Sequence, residues 1–512
     1  PFPGKATLDR CEVKTDTEID ETQLIVICIF LALIILVVVS TFIHWLLHSE
    51  RNEKSDKKDK KCLSMSLSFS ICNNTSRLMR NIEDDTEGML AGQSVRGLYV
   101  CLVAWIILGH TYLFPYEEYY FQASSLENLK NYWGQHYFSE IVSFPLGIDG
   151  LFVCQGFLLT YCLWQPALKS NDIEINVISL IIKNYVRLCI PLLLFFGVVF
   201  LLPLVVSGPF WADLLEGSVE RCKENAGAYF GMYSNFLDKE DQCFPHLWFV
   251  SCLAQLTLVG IFLSLILSRN IKIGIFITLI LCVLSSGAVG ILTINHEFPP
   301  SYVAYFTEKS TSLFWKINMA LPLSHFGAYA SGMLVGIWIA RKEYHRTRMC
   351  LGAIGWIACL GIAFGLKLIL YNARDGSLSP YWSAVYASIH RTAYGLSITW
   401  ALVACAFGVG GFVKAVLSNA REHSTYSHGE LIMRAISYFV VTYFLSYILY
   451  LLLEMPLGSM RIALCPKRTS RIEVTPLNNF STCKGDIVTK NSMLEGTCKL
   501  WSITESHNGV SY

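Results

Sequence analysis

The chain is 512 residues long, with a formal net charge of +1, 53% hydrophobic residues and only 15% charged ones. Soluble domains carry about 25% charged residues, so this composition excludes an ordinary soluble protein and points to a membrane. The near-neutral charge, with no zinc-finger, basic-zipper or aromatic RNA-binding pattern, also excludes nucleic acid as a partner.

The chain begins at Pro1, and no basic n-region with a short apolar core and a small-residue cleavage site precedes the first helix. Residues 1–23 therefore read as a stub of a longer N-terminal region, at a fragment edge or a processed end. A bilayer core about 30 Å thick asks for about 20 apolar residues per helix. Ten stretches meet that demand: 24–47, 98–114, 143–164, 188–207, 247–267, 273–295, 320–340, 351–371, 384–407 and 435–453. The expected fold is all-α, a polytopic integral membrane bundle of about ten helices. Its first helix and a basic linker occupy 24–97, its main membrane domain 98–460, and a polar tail without periodicity 461–512.

Orientation follows from the excess of Lys and Arg in cytoplasmic loops. "RNEKSDKKDKK" (51–61), Lys169 with Lys183 and Arg187, Arg269 with Lys272, and "RKEYHRTR" (341–348) mark one side as cytoplasmic. "PYEEYY" (115–120) and the acidic stretch 208–246 mark the other, so the N-terminus is expected outside or in a lumen, in a plasma membrane or an endomembrane. The far end conflicts with this pattern. The tenth helix should run outward, yet Arg461, Lys467, Arg468 and Arg471 follow it. A re-entrant "GVGGFVKAVL" (408–417) would resolve the conflict, and so would a crossing lost between 408 and 434.

Most of the eighteen cysteines sit inside apolar runs, among them Cys28, Cys101, Cys154 and Cys252, where a free thiol behaves as a small hydrophobe. Neither a CxxC pair nor an HExxH is present, so no metal and no bound cofactor is expected. Ionisable residues within spans are functional hypotheses by default; here they are His110, Asp149, His325, Lys367, His390, Arg391 and Glu454. Lys367 lies near a helix end and is expected to snorkel, and the positive charge at His390 and Arg391 could either orient an anion or pair with a carboxylate. His110 and Asp149 end and begin consecutive helices, "VRGLYVCLVAWIILGHTY" (95–112) and "FPLGIDGLFVCQGFLLTY" (144–161), so both are expected near the outer face. Two readings stay open for such a pair: a carboxylate orienting a general base, or a hydrogen bond that tethers two helices.

The ordered set "GHTY", "IDGLFVCQGFLLTY", "NYVRLCIPL" (184–192), "GPFW" (208–211), "CFPHLWF" (243–249), "AYASGMLVG" (328–336), "ACAFGVGG" (404–411) and "LLEMP" (452–456) resembles the nose-resistant-to-fluoxetine group of the acyltransferase-3 superfamily. The resemblance spans about 66–460. It implies a bundle of ten or eleven helices related to enzymes that move acyl groups from a cytoplasmic donor such as acyl-CoA onto sugar hydroxyls at the outer face. It also implies that His110 is the catalytic base and that an arginine stands eleven residues earlier, on nearly the same helix face and about 16 Å away.

That position is Tyr99; the nearest arginine is Arg96, fourteen residues before the histidine. Other polar positions of the pattern are altered too, at Leu253, Gln155 and His325, and a further helix expected between 408 and 434 is missing. A segment lost there is the preferred explanation of the topology conflict. Cys222 and Cys243, in a loop on the oxidising side, are expected to form a disulfide whose loop closure is worth about 3 kcal/mol.

The function expected is therefore transfer of an acyl group from acyl-CoA to a hydroxyl acceptor within surrounding membrane lipid. His110 takes the hydroxyl proton, Asp149 orients it, and Arg96, Arg187 and Arg391, with the Tyr99 position, hold the donor. The alternative is a catalytically inactive member that transports lipids or small hydrophobic molecules. The acceptor and the oligomeric state stay open.

Overall fold

The computed structural model describes residues 19–49, 67–79, 87–117, 139–141, 143–167, 177–205, 209–301, 312–341, 349–372, 378–407, 409–411 and 413. Most of these residues are helical, with no strand among them. The helices are α1 (Glu21–Ser49), α2 (Ile71–Met79), α3 (Glu87–Glu117), α4 (Pro145–Ala167), α5 (Val177–Val205), α6 (Pro209–Glu224), α7 (Ala226–Phe230), α8 (Trp248–Arg269), α9 (Ile271–Asn295), α10 (Ser312–Trp315), α11 (Pro322–Ala340), α12 (Met349–Asn372) and α13 (Pro380–Ala406). A π-helical segment, Lys316–Ala320, joins α10 to α11.

Local chemistry sets several boundaries. Proline at the first helical position suits α4, α6, α11 and α13, because its fixed φ is helical and its missing N–H is one that a helix start leaves unpaired anyway. Asn270 alone separates α8 from α9: its extended backbone stops the first, and its side-chain oxygen accepts from the N–H groups of Lys272 and Ile273 to cap the second.

Among the described residues, eight helical stretches are long and apolar enough to cross a bilayer: 21–46, 94–111, 139–164, 177–205, 245–269, 271–295, 312–340 and 352–372. They match the first eight expected spans. The fourth begins earlier than expected, taking Lys183 and Arg187 into α5. The ninth expected span is α13, which at 27 residues is long enough but more polar than the others, since it carries His390 and Arg391. The tenth, 435–453, and the segment 414–434 lie outside the described residues.

Burial separates the centre from the rim. In the most apolar window of each span, 94% of residues are buried for 139–164 and 78% for 312–340, against 11% for both 21–46 and 352–372. Helices α4 and α11 therefore form the axis of the bundle. The Leu, Ile and Val side chains of α1, α9 and α12 point outward, as a lipid-facing surface requires. In lipid, helices associate mainly through close packing, and α4 meets α11 at backbone distance: a Cβ at Gly156 would overlap the Tyr329 carbonyl. Thr160 of α4 donates to the Met333 carbonyl of α11 at 2.8 Å. α13 packs on α11, α9, α12, α3 and α4, which brings its polar residues to the axis.

The segment 209–247 folds over one end of this bundle. The expected Cys222–Cys243 disulfide is formed, with 4.6 Å between its Cα atoms. Around it, Tyr229 Oη accepts from the Cys243 N–H at 2.8 Å, and Gln242 Nε2 donates to the Ser234 carbonyl at 2.6 Å. Burial pushes the Tyr229 hydroxyl up to about 12. Two links tie this loop to the helix beneath. Asp238 takes Lys316 Nζ at 2.8 Å and the Ser312 hydroxyl at 2.7 Å. Asn235 Nδ2 donates to the Ala320 carbonyl at 3.2 Å.

Candidate active site

Two polar centres lie near the covered end of the bundle, and each contains a histidine. The first is buried. Asp149 on α4 and His325 on α11 are fully buried, and Arg391 on α13 is 3% exposed. The carboxylate bridges the other two: Asp149 Oδ1 lies 2.7 Å from His325 Nδ1, and Asp149 Oδ2 accepts from Arg391 Nη1 at 2.8 Å. The π-helical segment supplies the remaining acceptors. Its Met319 carbonyl is 2.9 Å from His325 Nε2, and its Asn318 carbonyl accepts from Arg391 Nη2 at 2.5 Å. Asn318 and Met319 stand in the last turn of the segment, just before the backbone becomes extended at Leu321, where carbonyls lack an intrahelical partner, and here side chains of the helices around it take them up. Trp248 stacks on the His325 ring at 5.2 Å, and Phe152 covers it at 4.7 Å.

This geometry corrects the pairing read from chain order. Asp149 spends both oxygens on His325 and Arg391 rather than on His110, because α11 and α13, not α3, bring nitrogen donors to its carboxylate. His325, one of the altered polar positions, serves that carboxylate. Of the two expectations for Arg391, an anionic donor or a carboxylate partner, the structure shows the carboxylate: its guanidinium is engaged inside the protein by Asp149 and the Asn318 carbonyl. Beside it, His390 Nδ1 lies 2.8 Å from the Tyr386 carbonyl, and the two rings stack at 4.7 Å.

The second centre is open. His110, near the end of α3, is exposed and lines a cavity of about 220 Å³. Its ring sits 4.6 Å from that of Phe144, and Gly109 makes this approach possible, because a Cβ there would overlap the Phe144 ring. Among the described residues the His110 ring has no hydrogen-bond partner. α3 and α4 contribute Ile106, Pro145, Ile148 and Leu151 to the wall, and α8 contributes Trp248 and Phe249. Trp315 and Met319 close it from the α10 side, and the covering loop adds Lys239, Pro245 and His246.

Sequence reading missed Lys239 and His246 as cavity residues. His246 stood in the quoted "CFPHLWF", but only the folded loop places it in the same cavity as His110. The other expected donor-binding residues lie apart from this lining. Arg187 of α5 donates to Gln155 Oε1 at 3.5 Å, so Gln155, another departure from the family pattern, holds that guanidinium. Tyr99 packs half-buried against the apolar cluster around Leu98 and Leu102, and Arg96, one turn earlier on α3, is exposed. Lys367 pairs with Glu140 across the rings of Trp105 and Phe364 instead of reaching alone to an interface.

Residues 94–466 match the acyltransferase-3 family, whose domain is described as an acyltransferase domain. The chain is also 24% identical over 395 residues to nose resistant to fluoxetine protein 6 of Caenorhabditis elegans, an alignment covering 69% of this chain and 45% of that protein. The chain thus spans about half the length of the curated relative it matches. No solved structure matches it. A family match over most of the chain, on a bundle whose axis and covered cavity are built by the matched segment, places this polytopic membrane protein in the acyltransferase-3 family, alongside its nose-resistant-to-fluoxetine members.

Proposed function

We propose that the protein transfers an acyl group from an acyl thioester to a hydroxyl acceptor, with His110 as the general base. One observation carries this reading: an imidazole without a described hydrogen-bond partner faces a cavity large enough for part of a substrate. The chemistry asks only for proton movement at that point. The acceptor hydroxyl gives its proton to the ring, its oxygen bonds to the thioester carbonyl carbon, the carbon–sulfur bond breaks, and the thiolate leaves with the proton that the imidazolium returns. A positioned base contributes about 10²- to 10⁴-fold to such a step. His246 and Lys239 bring further N–H groups to the cavity, where negative charge develops on the carbonyl oxygen. The disulfide in the covering loop supports an outer or lumenal setting for this end.

Tyr99, in place of the arginine expected about three turns below His110 on nearly the same helix face, favours a second reading in which the fold carries small hydrophobic molecules without transferring acyl groups. A single assay separates the two. Purified protein is given radiolabelled acyl-CoA and an acceptor, and thioester loss is compared with that of His110→Ala. The proposal expects a fall of about 10²- to 10⁴-fold in the variant. Equal rates in two equally folded proteins would sink it.

A further inference from the structure

The cavity at His110 is polar at one end and apolar at the other, and the gradient follows the helices. On α3, Ile106 lies one turn deeper than His110, about 6 Å along the axis. On α4, Ile148 and Leu151 lie successively deeper than Pro145 at its start. Among the described residues, and apart from the indole N–H groups of Trp248 and Trp315, the polar side chains of the lining are His110, Lys239 and His246, and the last two descend from the loop covering the shallow end. Among the described residues no carboxylate, amide or hydroxyl side chain lines the cavity.

That distribution selects for shape and polarity together. A sugar carries hydroxyls around its ring, and each one taken out of water needs a partner. Tryptophan can stack on one sugar face, yet the rim hydroxyls would then meet isoleucine, leucine and methionine. A molecule with one hydroxyl at the end of an aliphatic chain leaves nothing unpaired: the chain fills the space by Ile106, Ile148 and Leu151, and the oxygen stays at the shallow end between donors and base. The chain's burial supplies the binding energy, in proportion to the apolar area covered.

Resting on the acyl-transfer reading above, we infer that the acceptor is a long-chain aliphatic alcohol and that the product is a lipophilic ester rather than an acylated sugar. The alcohol's proton passes to His110, its oxygen joins the acyl carbon of the thioester, and the thiol departs with that proton, so the step needs no co-reactant beyond the thioester.

The test uses the full chain in lipid nanodiscs with radiolabelled acyl-CoA, offering dodecanol, butanol or methyl glucoside. Expected is label in the dodecyl ester, with kcat/KM about tenfold or more above that for either other acceptor. Ile106→Phe, at a half-buried position and checked for monodispersity, should shrink the deep end and reduce the preference for dodecanol over butanol. A diazirine-bearing dodecanol gives a second readout that needs no turnover, with the label expected in the peptides around Ile106, Ile148 and Trp248. Transfer to the glucoside in preference to dodecanol overturns the inference and leaves acyl transfer standing. Label in the cavity without transfer to any acceptor overturns acyl transfer and supports the alcohol as the bound class. Neither transfer nor cavity label overturns both.

Discussion

The buried triad and the open cavity put a histidine in each of two opposite situations. His325 is enclosed by Asp149, Arg391, the Met319 carbonyl and two aromatic rings, so each of its nitrogens already has an acceptor. The His110 ring packs on Phe144 and faces the cavity, and among the described residues it has no hydrogen-bond partner. An ionisable residue in a membrane span is a functional hypothesis by default, and the comparison refines it. A group whose hydrogen-bonding capacity is filled by the protein organises the bundle; a group left with spare capacity at a cavity is available to a substrate.

The comparison is broken most directly at Arg391. Arg391→Leu leaves the Asp149 carboxylate buried with one cation gone, and thermal unfolding should show a loss of about 3–5 kcal/mol. Replacing Asp149, His325 and Arg391 together by apolar residues should cost less than that single change, because no charge is then stranded. A triple variant weaker than the single one would count against a saturated structural triad. Next in size is the covering loop: Cys222→Ala with Cys243→Ala should cost about 3 kcal/mol, and reductant should erase the difference from the parent.

His110→Ala provides the contrast. Its stability should stay within about 0.5 kcal/mol of the parent, while the proposed transfer falls by about 10²- to 10⁴-fold. A large drop in melting temperature would move His110 into the same structural class as His325.

The smallest effect concerns the link between loop and bundle. Lys316 and the Ser312 hydroxyl hold the Asp238 carboxyl below its ordinary 3.8. A carboxyl lowered in the folded state stabilises above the unfolded value and loses that contribution as pH falls through the folded one. Asp238→Asn should therefore melt slightly below the parent at neutral pH, and the gap should close in acid beneath the folded value. A gap that persists there would assign the effect to packing.

Much of the architecture was legible because it depends on local pattern. Runs of about twenty apolar residues marked the spans, and a loop on the expected oxidising side marked Cys222 and Cys243. The partners of Asp149 were not legible. His325 and Arg391 lie 176 and 242 residues away in sequence, and nothing in their local pattern says which helices become neighbours. Both were on the short list of charges within spans, but chain adjacency favoured His110. Lys239 and His246 were missed for a related reason: a polar loop residue gives no sign of folding back over a cavity.

The wall between the two centres is one residue thick. Trp248 lays its ring against His325 and also lines the cavity, and Met319 gives its carbonyl to His325 while its side chain faces the same space. Ligand shape and helix register are therefore written on the same atoms. A substrate that displaced Trp248 would uncover the ion triad, and one that rewound the π turn would withdraw the carbonyls holding it. The cavity wall is thus also the cover of the ionic network, and pressure on one is pressure on the other.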